Sequence, residues 1–200
     1  MHKAIRFLAP VNAQTSDRLF KVLDELVSKG MTDLHLLLST PGGSVFHGLS
    51  IHNYLKGIPV NVHTYNFGSV DSIGVVIYCS GEKRFTVPHS RFLIHSVKLT
   101  INGKMSVDEK QIDEYLKSVK IDQRNIARVM SDTTGRPIET IEHEMVNRTT
   151  LNPEEAVDYG LVHEIRKELI PPGMEMITIG EPMKDEQFAP RRVQFPKSHP

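Results

Sequence analysis

A short apolar run from Leu34 to Leu38 that stops on Pro41-Gly42-Gly43 constrains the fold more than any other stretch of this chain. Four leucines in five positions, bounded by a proline and two glycines, favour a buried strand over a helix, because a helix needs a longer repeat and no breaker. Val45, Phe46, Leu49 and Ile51 then lead into a helix from Val45 to Leu55. The same alternation recurs on both sides. Leu19, Val22, Leu23, Leu26 and Val27 follow Thr15 and Ser16 at helical spacing, and Gly30 supplies a stop. Val60 to Tyr65 reads as a strand and Ser72 to Cys79 as a helix. Arg84 to Val87 and Arg91 to Ile94 read as two short strands joined by a Pro-His-Ser turn. Repeated strand-then-helix units place the chain in the α/β class.

At 200 residues the chain suits one substantial core. Lys plus Arg and Asp plus Glu number 24 each, so no net charge draws it to nucleic acid or to an anionic membrane, and neither partner is expected. Cys79, the single cysteine, excludes an intrachain disulfide and reads as a small buried hydrophobe in the run from Ile73. The first ten residues carry no secretory apolar core and nothing approaches 18 consecutive apolar residues, so a cytoplasmic location is expected. The histidines lack ligand spacing and no phosphate-cradling loop with an adjacent lysine is present, so neither a metal, a cofactor nor ATP is expected on this chain.

The chemistry points elsewhere. Ser72 stands among small residues in Gly68-Ser69-Val70-Asp71-Ser72-Ile73-Gly74, and His95 ends the run Arg91-Phe92-Leu93-Ile94 at a distance of 23 residues. A serine hydroxyl is a weak nucleophile at neutral pH and needs a neighbouring base, which a neutral imidazole supplies. The Pro-Gly-Gly turn adds glycines whose backbone N–H groups can approach a ligand closely, as an oxyanion hole requires. A serine at a helix start also sits where unpaired amides favour negative charge. Each residue has a plainer reading: Ser72 as an N-cap, His95 as a core histidine satisfied by a carbonyl, the turn as a simple connector. Asp71 reads as a turn or capping residue.

Four blocks in order settle the balance: Ser39-Thr40-Pro41-Gly42-Gly43, then Gly68 to Gly74, then Val87-Pro-His-Ser-Arg-Phe-Leu-Ile-His95, then Glu155-Ala-Val-Asp-Tyr-Gly-Leu-Val162. Together they resemble the proteolytic subunits of the ATP-dependent Clp protease, from about Ile5 to about Ile165. The resemblance implies an α/β, ClpP/crotonase-like spiral of repeated ββα units with a projecting handle helix. It implies a serine endopeptidase working through an acyl-enzyme, with Ser72 as nucleophile, His95 as general base, and the backbone N–H groups of Gly43 and Ile73 facing the oxyanion. It further implies peptide or unfolded-protein substrates and a homo-oligomeric ring, a heptamer or stacked heptamers. Two other readings stay open: a weak or inactive ring component or scaffold, and a crotonase-like acyl-CoA enzyme.

Departures from the family pattern are equally specific. The acidic third member falls, counted without gaps, on Arg148, whose guanidinium has donors only. Asn147, shifted by one residue, is the tentative replacement. Glu144 or a simple Ser72–His95 dyad are the alternatives, and an inactive site is the remaining one. The chain starts almost at its first strand, without the segment that forms axial loops in the family, so an ATPase unfoldase partner is an open question. Ser96 to Gly103 lacks the family's proline and paired glycines.

Architecture completes the reading. Ser106-Val107-Asp108-Glu109 has capping-box spacing and opens a long helix through Ile112, Tyr115, Leu116, Val119, Ile126 and Val129, the candidate handle. Asn152-Pro153-Glu154-Glu155 opens another helix, which Gly160 ends. The peptidase domain spans residues 1–165, and residues 166–200 form a proline-rich extension, with Met174 to Ile179 as an edge strand and Lys184 to Pro200 flexible.

Overall fold

The structure, a computed structural model, describes residues 1–99, 106–171 and 173–180. Among them the chain runs β1 (His2–Leu8), α1 (Ala13–Ser28), β2 (Asp33–Thr40), α2 (Val45–Gly57), β3 (Asn61–Asp71), α3 (Ile73–Tyr78), β4 (Lys83–Thr86), β5 (Arg91–Leu93), α4 (Glu109–Thr134), α5 (Ile138–Asn147), β6 (Thr150–Leu151), α6 (Pro153–Asp158), β7 (Glu164–Ile165) and β8 (Met176–Gly180). The main path through the sheet is β6-β5-β3-β2-β1-β8, and β4 and β7 branch from β3. Every pairing is parallel except β5 with β6.

The strand expected at Leu34–Leu38 is β2, and its composition follows from burial on both faces. Leu34, Leu36 and Leu38 enter the main core under the helices, while Leu37 joins Tyr65 and Phe85 in a smaller cluster on the opposite face. With leucines on both faces the strand shows little alternation, and only His35 interrupts the apolar run.

Helix starts follow reciprocal caps more faithfully than the first apolar residue. Asn12 caps α1, accepting from Thr15 N at 2.9 Å while Thr15 Oγ1 accepts from Asn12 N at 3.1 Å. Thr15 and Ser16 therefore lie buried inside the first turn rather than before it. The long helix α4 likewise starts at Asp108 with Gln111, two residues beyond the expected cap at Ser106. A carboxylate oxygen is the stronger acceptor for a free helix amide, which favours Asp108 over the serine. Asn152 and Glu155 form the same device ahead of Pro153, as expected.

A break in pairing positions the site. β2 and β3 pair evenly from Asp33↔Asn61 to Leu38↔Asn66 and resume at Thr40↔Val70, so two residues of β2 span four of β3. The extra residues make the β3 backbone turn, and Gly68 sits at that turn, where a Cβ would stand 2.9 Å from Ser39 Oγ. Before the bulge β3 pairs with β4, and after it with β5 through Ser69↔Arg91, Val70↔Phe92 and Asp71↔Leu93. One long strand thus serves two branches of the sheet.

Helix α4 is docked only at its C-terminal end. Ile126, Ala127 and Met130 are buried, whereas Ile112, Leu116 and Ile121 are each about half exposed. This is the projecting element expected of the handle. The sheet itself runs beyond Ile165, since β8 adds in parallel beside β1 with Ile179 fully buried. The expectation of flexibility for Lys184 to Pro200 lies outside the described residues, as does the Thr100 to Gly103 part of the departure after His95.

One buried cation ties the branches together. Arg84 on β4 is 8% exposed and donates to the carbonyls of Leu161 (2.7 Å), Gly81 (3.1 Å), Gly160 (3.4 Å) and Thr133 (3.5 Å). Cys79 is buried as expected, and desolvation pushes its thiol up to about 11. It is an inert packing group.

Candidate active site

Three parallel strands deliver the expected residues to one edge of the sheet. β2 ends at Thr40 ahead of Gly42 and Gly43, β3 ends at Asp71 ahead of Ser72, and β5 ends at Leu93 two residues before His95. The carboxyl ends of neighbouring parallel strands are where open α/β sheets form ligand crevices. Ser72 N donates to Leu93 O at 2.7 Å, which ties the Ser72 segment to the strand that leads to His95, and Ile94 N donates to Thr149 O at 2.8 Å, which ties that strand to the chain after α5. Gly43, Ser72, Ile73 and His95 all line one cavity of about 200 Å³. Val45, Val75, Val97, Ile126 and Met130 give it an apolar wall, with Lys98 also lining it.

Ser72 is not an ordinary cap. Its φ is +59° and ψ −129°, and its side chain makes no hydrogen bond to the helix amides of α3. A non-glycine residue in this region costs about 1–3 kcal/mol and is held there only by its surroundings. The surroundings are plain: Ser72 N is tied to Leu93 O, Val75 N donates to Ser72 O at 3.0 Å, and α3 is buried throughout. The strained turn leaves the hydroxyl directed away from capping and into the cavity wall, as in a nucleophile elbow.

The turn after β2 meets Ser72 from the other side. Gly42 has φ +84° and Gly43 φ +147°, and a Cβ on Gly43 would stand 2.2 Å from Val11 O. Val11 brackets Gly43, donating from its N to Gly42 O at 2.8 Å and accepting at its O from Ser44 N at 2.8 Å. That bracket consumes the neighbours' polar groups and leaves the Gly43 N–H without a partner among the described residues. Ile73, the first residue of α3, has no intrahelical acceptor for its own N–H. Both main-chain donors therefore border the cavity unused.

His95 is oriented by the main chain. Its Nδ1 lies 2.7 Å from Ser96 O, and Ser96 N in turn donates to Met145 O at 2.9 Å. A carbonyl oxygen only accepts, so Nδ1 carries the hydrogen and the Nε2 lone pair is free to take a proton. No hydrogen bond joins Nε2 to Ser72 Oγ in this structure. Such contacts are often long without substrate and tighten when it binds.

The candidates for a third member lie elsewhere. Asn147 is exposed at the last position of α5, and no hydrogen bond links it to His95 among the described residues. Arg148 follows with φ +57°, exposed at the C-cap. Glu144 is committed to Tyr159, whose hydroxyl donates to it, and to Arg136 Nη1 at 3.4 Å. Burial and that carboxylate raise the Tyr159 phenol strongly. Asp71 ends β3 and accepts from Arg91 Nη2 at 2.9 Å and Ser69 Oγ at 2.7 Å, an ion pair on the sheet where the sequence suggested a turn or capping residue. Sequence reasoning missed the Ser96 carbonyl, since a main-chain acceptor leaves no residue-type signal.

Comparison with known proteins gives the family and the fold. The family described as Clp protease matches residues 1–168. The chain belongs to the Clp protease family. It is 32% identical over 165 residues to the ATP-dependent Clp protease proteolytic subunit 3 of Rhizobium etli, covering 82% of this chain and 83% of that protein. It is 30% identical over 158 residues to the ATP-dependent Clp protease proteolytic subunit of Paracoccus denitrificans, covering 78% and 77%. A solved structure of a ClpP1 mutant from Listeria monocytogenes superposes with a TM-score of 0.75 at 27% identity, over 83% of this chain and 92% of that one. As a Clp protease the chain is a serine endopeptidase with the expected ClpP-like fold. Among the described residues no helix is long and apolar enough to cross a membrane, and no cluster of three His, Cys, Asp or Glu could hold a metal ion.

Proposed function

We propose that Ser72 and His95 hydrolyse peptide bonds through an acyl-enzyme, with the Gly43 and Ile73 amides as the oxyanion hole. His95 Nε2 takes the Ser72 proton as Oγ attacks the scissile carbonyl. The oxyanion then forms between two donors that need no reorganisation to receive it. The imidazolium, held by Nδ1–H to Ser96 O, protonates the leaving amine, and water releases the acyl group by the same route. The Ser96 carbonyl thereby takes the orienting part expected of Asn147. It fixes the tautomer as a triad acid would but carries no full charge, so it stabilises the imidazolium less.

The observation that carries this reading is the strained, uncapped Ser72 in the same cavity as His95 and two unused backbone donors. The substrate is an extended peptide whose backbone pairs along the cleft edge and whose apolar side chain fills the cavity. The working particle is a homo-oligomeric ring, a heptamer or stacked heptamers, that encloses the sites. An ATPase partner fits the "ATP-dependent" relatives by name. The test is hydrolysis of an internally quenched peptide by the wild type, Ser72→Ala and His95→Ala, with each particle sized by analytical ultracentrifugation. Both variants are expected to lose at least about 1,000-fold in kcat/KM while assembling normally. Equal turnover by all three assembled proteins overturns the assignment.

A further inference from the structure

Strand β5 is short for what it carries. It pairs with β3 at three positions and with β6 at two, yet its end delivers His95, while the neighbouring end of β3 delivers Ser72. Val70 and Phe92 are partners in this pairing and are fully buried in the main core. Side chains alternate along a strand, so Ser69, Asp71 and Arg91 share the opposite face. There Arg91 Nη2 donates to Asp71 Oδ2 at 2.9 Å, and Ser69 Oγ donates to Asp71 Oδ1 at 2.7 Å. The ion pair is diagonal, because Arg91 stands opposite Ser69 and Asp71 opposite Leu93. A diagonal bond opposes sliding of one strand along the other, and sliding changes the separation of Ser72 and His95. The main chain of the same arginine is held as well. Asn66, fully buried, donates from Nδ2 to Arg91 O at 2.8 Å and accepts at Oδ1 from Gly68 N at 3.0 Å. Arg91 is thus anchored at both ends, to the bulge of β3 and to the residue before Ser72.

We propose that Asp71 and Arg91 are positioning residues for peptide hydrolysis, their ion pair setting where the Ser72 end of β3 stands relative to the His95 end of β5. The inference rests on the peptidase reading of Ser72 and His95 and adds to it two residues that do not line the cavity. Because they act through the placement of the main chain, they affect the chemical step and not the affinity for peptide. Their side chains are 11% and 50% exposed, and water around the guanidinium keeps the pair's share of overall stability small. Misplacement is costly to the reaction all the same, since a shift of about 1 Å lowers the rate about 100-fold.

The test compares the wild type with Arg91→Met, which keeps the aliphatic stem, with Asp71→Ala, and with the Asp71→Ala/Arg91→Met double variant. An internally quenched peptide gives kcat and KM separately. Ser72 N keeps its bond to Leu93 O in every variant, so a partial displacement is expected: kcat falls about tenfold in each single variant, with KM within about twofold of wild type. The double variant loses no more than either single one, since the second change removes a partner already idle. Urea midpoints on the same preparations shift little, which separates a displaced site from a less stable fold. Hydrogen exchange, read by mass spectrometry on fragments covering residues 69–75 and 91–96, is expected to quicken about tenfold in both single variants and to stay unchanged in α1. A wild type with no turnover, or with turnover that survives Ser72→Ala, overturns the peptidase reading, while the exchange result still decides the positioning claim. Full kcat in either single variant, unchanged exchange in those two fragments, or losses that multiply in the double variant overturns the proposal.

Discussion

Gly42 packs against Ser72 so closely that a Cβ on the glycine would stand 2.7 Å from Ser72 Cβ and 3.2 Å from its Oγ. The same atom would stand 2.7 Å from Asp71 O, which is backbone and cannot swing aside. Gly42 also has φ +84°, where an L side chain is strained. Gly42→Ala is therefore expected to displace the nucleophile and to cost about 1–3 kcal/mol of stability. A shift of the hydroxyl by about 1 Å lowers kcat/KM about 100-fold. Peptide turnover and urea midpoints measured on the same preparation check both effects, and wild-type turnover would show that the turn is not what holds Ser72.

His95 Nδ1 lies against the Ser96 carbonyl, and the mechanism proposed above gives the side chains counted as candidates for the third position no orienting role. Asn147→Ala is expected to leave kcat/KM within about threefold of wild type, less than 1 kcal/mol in the barrier. Loss of an orienting triad member would instead cost several powers of ten. A fall of that size would return the role to Asn147.

Arg84 holds four carbonyls from three separate segments of chain, and methionine keeps its length without its donors. Arg84→Met leaves at least the Leu161 and Gly81 carbonyls without that partner in a buried setting. Each unsatisfied group costs about 1–3 kcal/mol. The expected loss is about 3 kcal/mol, read as a lower urea midpoint with an unchanged slope. An unchanged midpoint would mean that water replaces the guanidinium.

Three histidines share the outer face of the sheet. His35 and His63 are cross-strand neighbours with ring centroids 5.2 Å apart, and His2 lies 6.5 Å from His35. Asp33, Tyr65, Glu82 and Lys83 are the other titratable groups around them. Burial, followed for His35 by the neighbouring His63, lowers His35, and burial also lowers His63 against the opposing pull of Asp33. A histidine lowered in the fold binds its proton less readily there than in the unfolded chain. Its stability contribution is therefore complete above about pH 6.5 and is lost as pH falls through the lower folded values. The thermal midpoint is expected to drop between neutral and mildly acidic pH, and His63→Leu to drop less. Equal drops for the two proteins would place the pH sensitivity elsewhere.

The sequence by itself determined the α/β class, the strand before Pro41-Gly42-Gly43 and the helix opened by Pro153, and it singled out Ser72 and His95, which line one cavity. Each of these is written in local chemistry: a breaker after an apolar run, a reciprocal cap, a small-residue turn, an ordered set of motifs. The shared edge of the sheet was legible only through the spacing of those motifs. Only the tertiary structure decided that Ser72 is strained and uncapped, because its φ follows from anchoring by Leu93 and burial of α3 rather than from its neighbours in sequence. It alone placed Nδ1 of His95 on the Ser96 carbonyl and left Asn147 at the surface. A carbonyl is common to every residue, so its use as an acceptor depends on where distant segments bring it, and no residue type announces it.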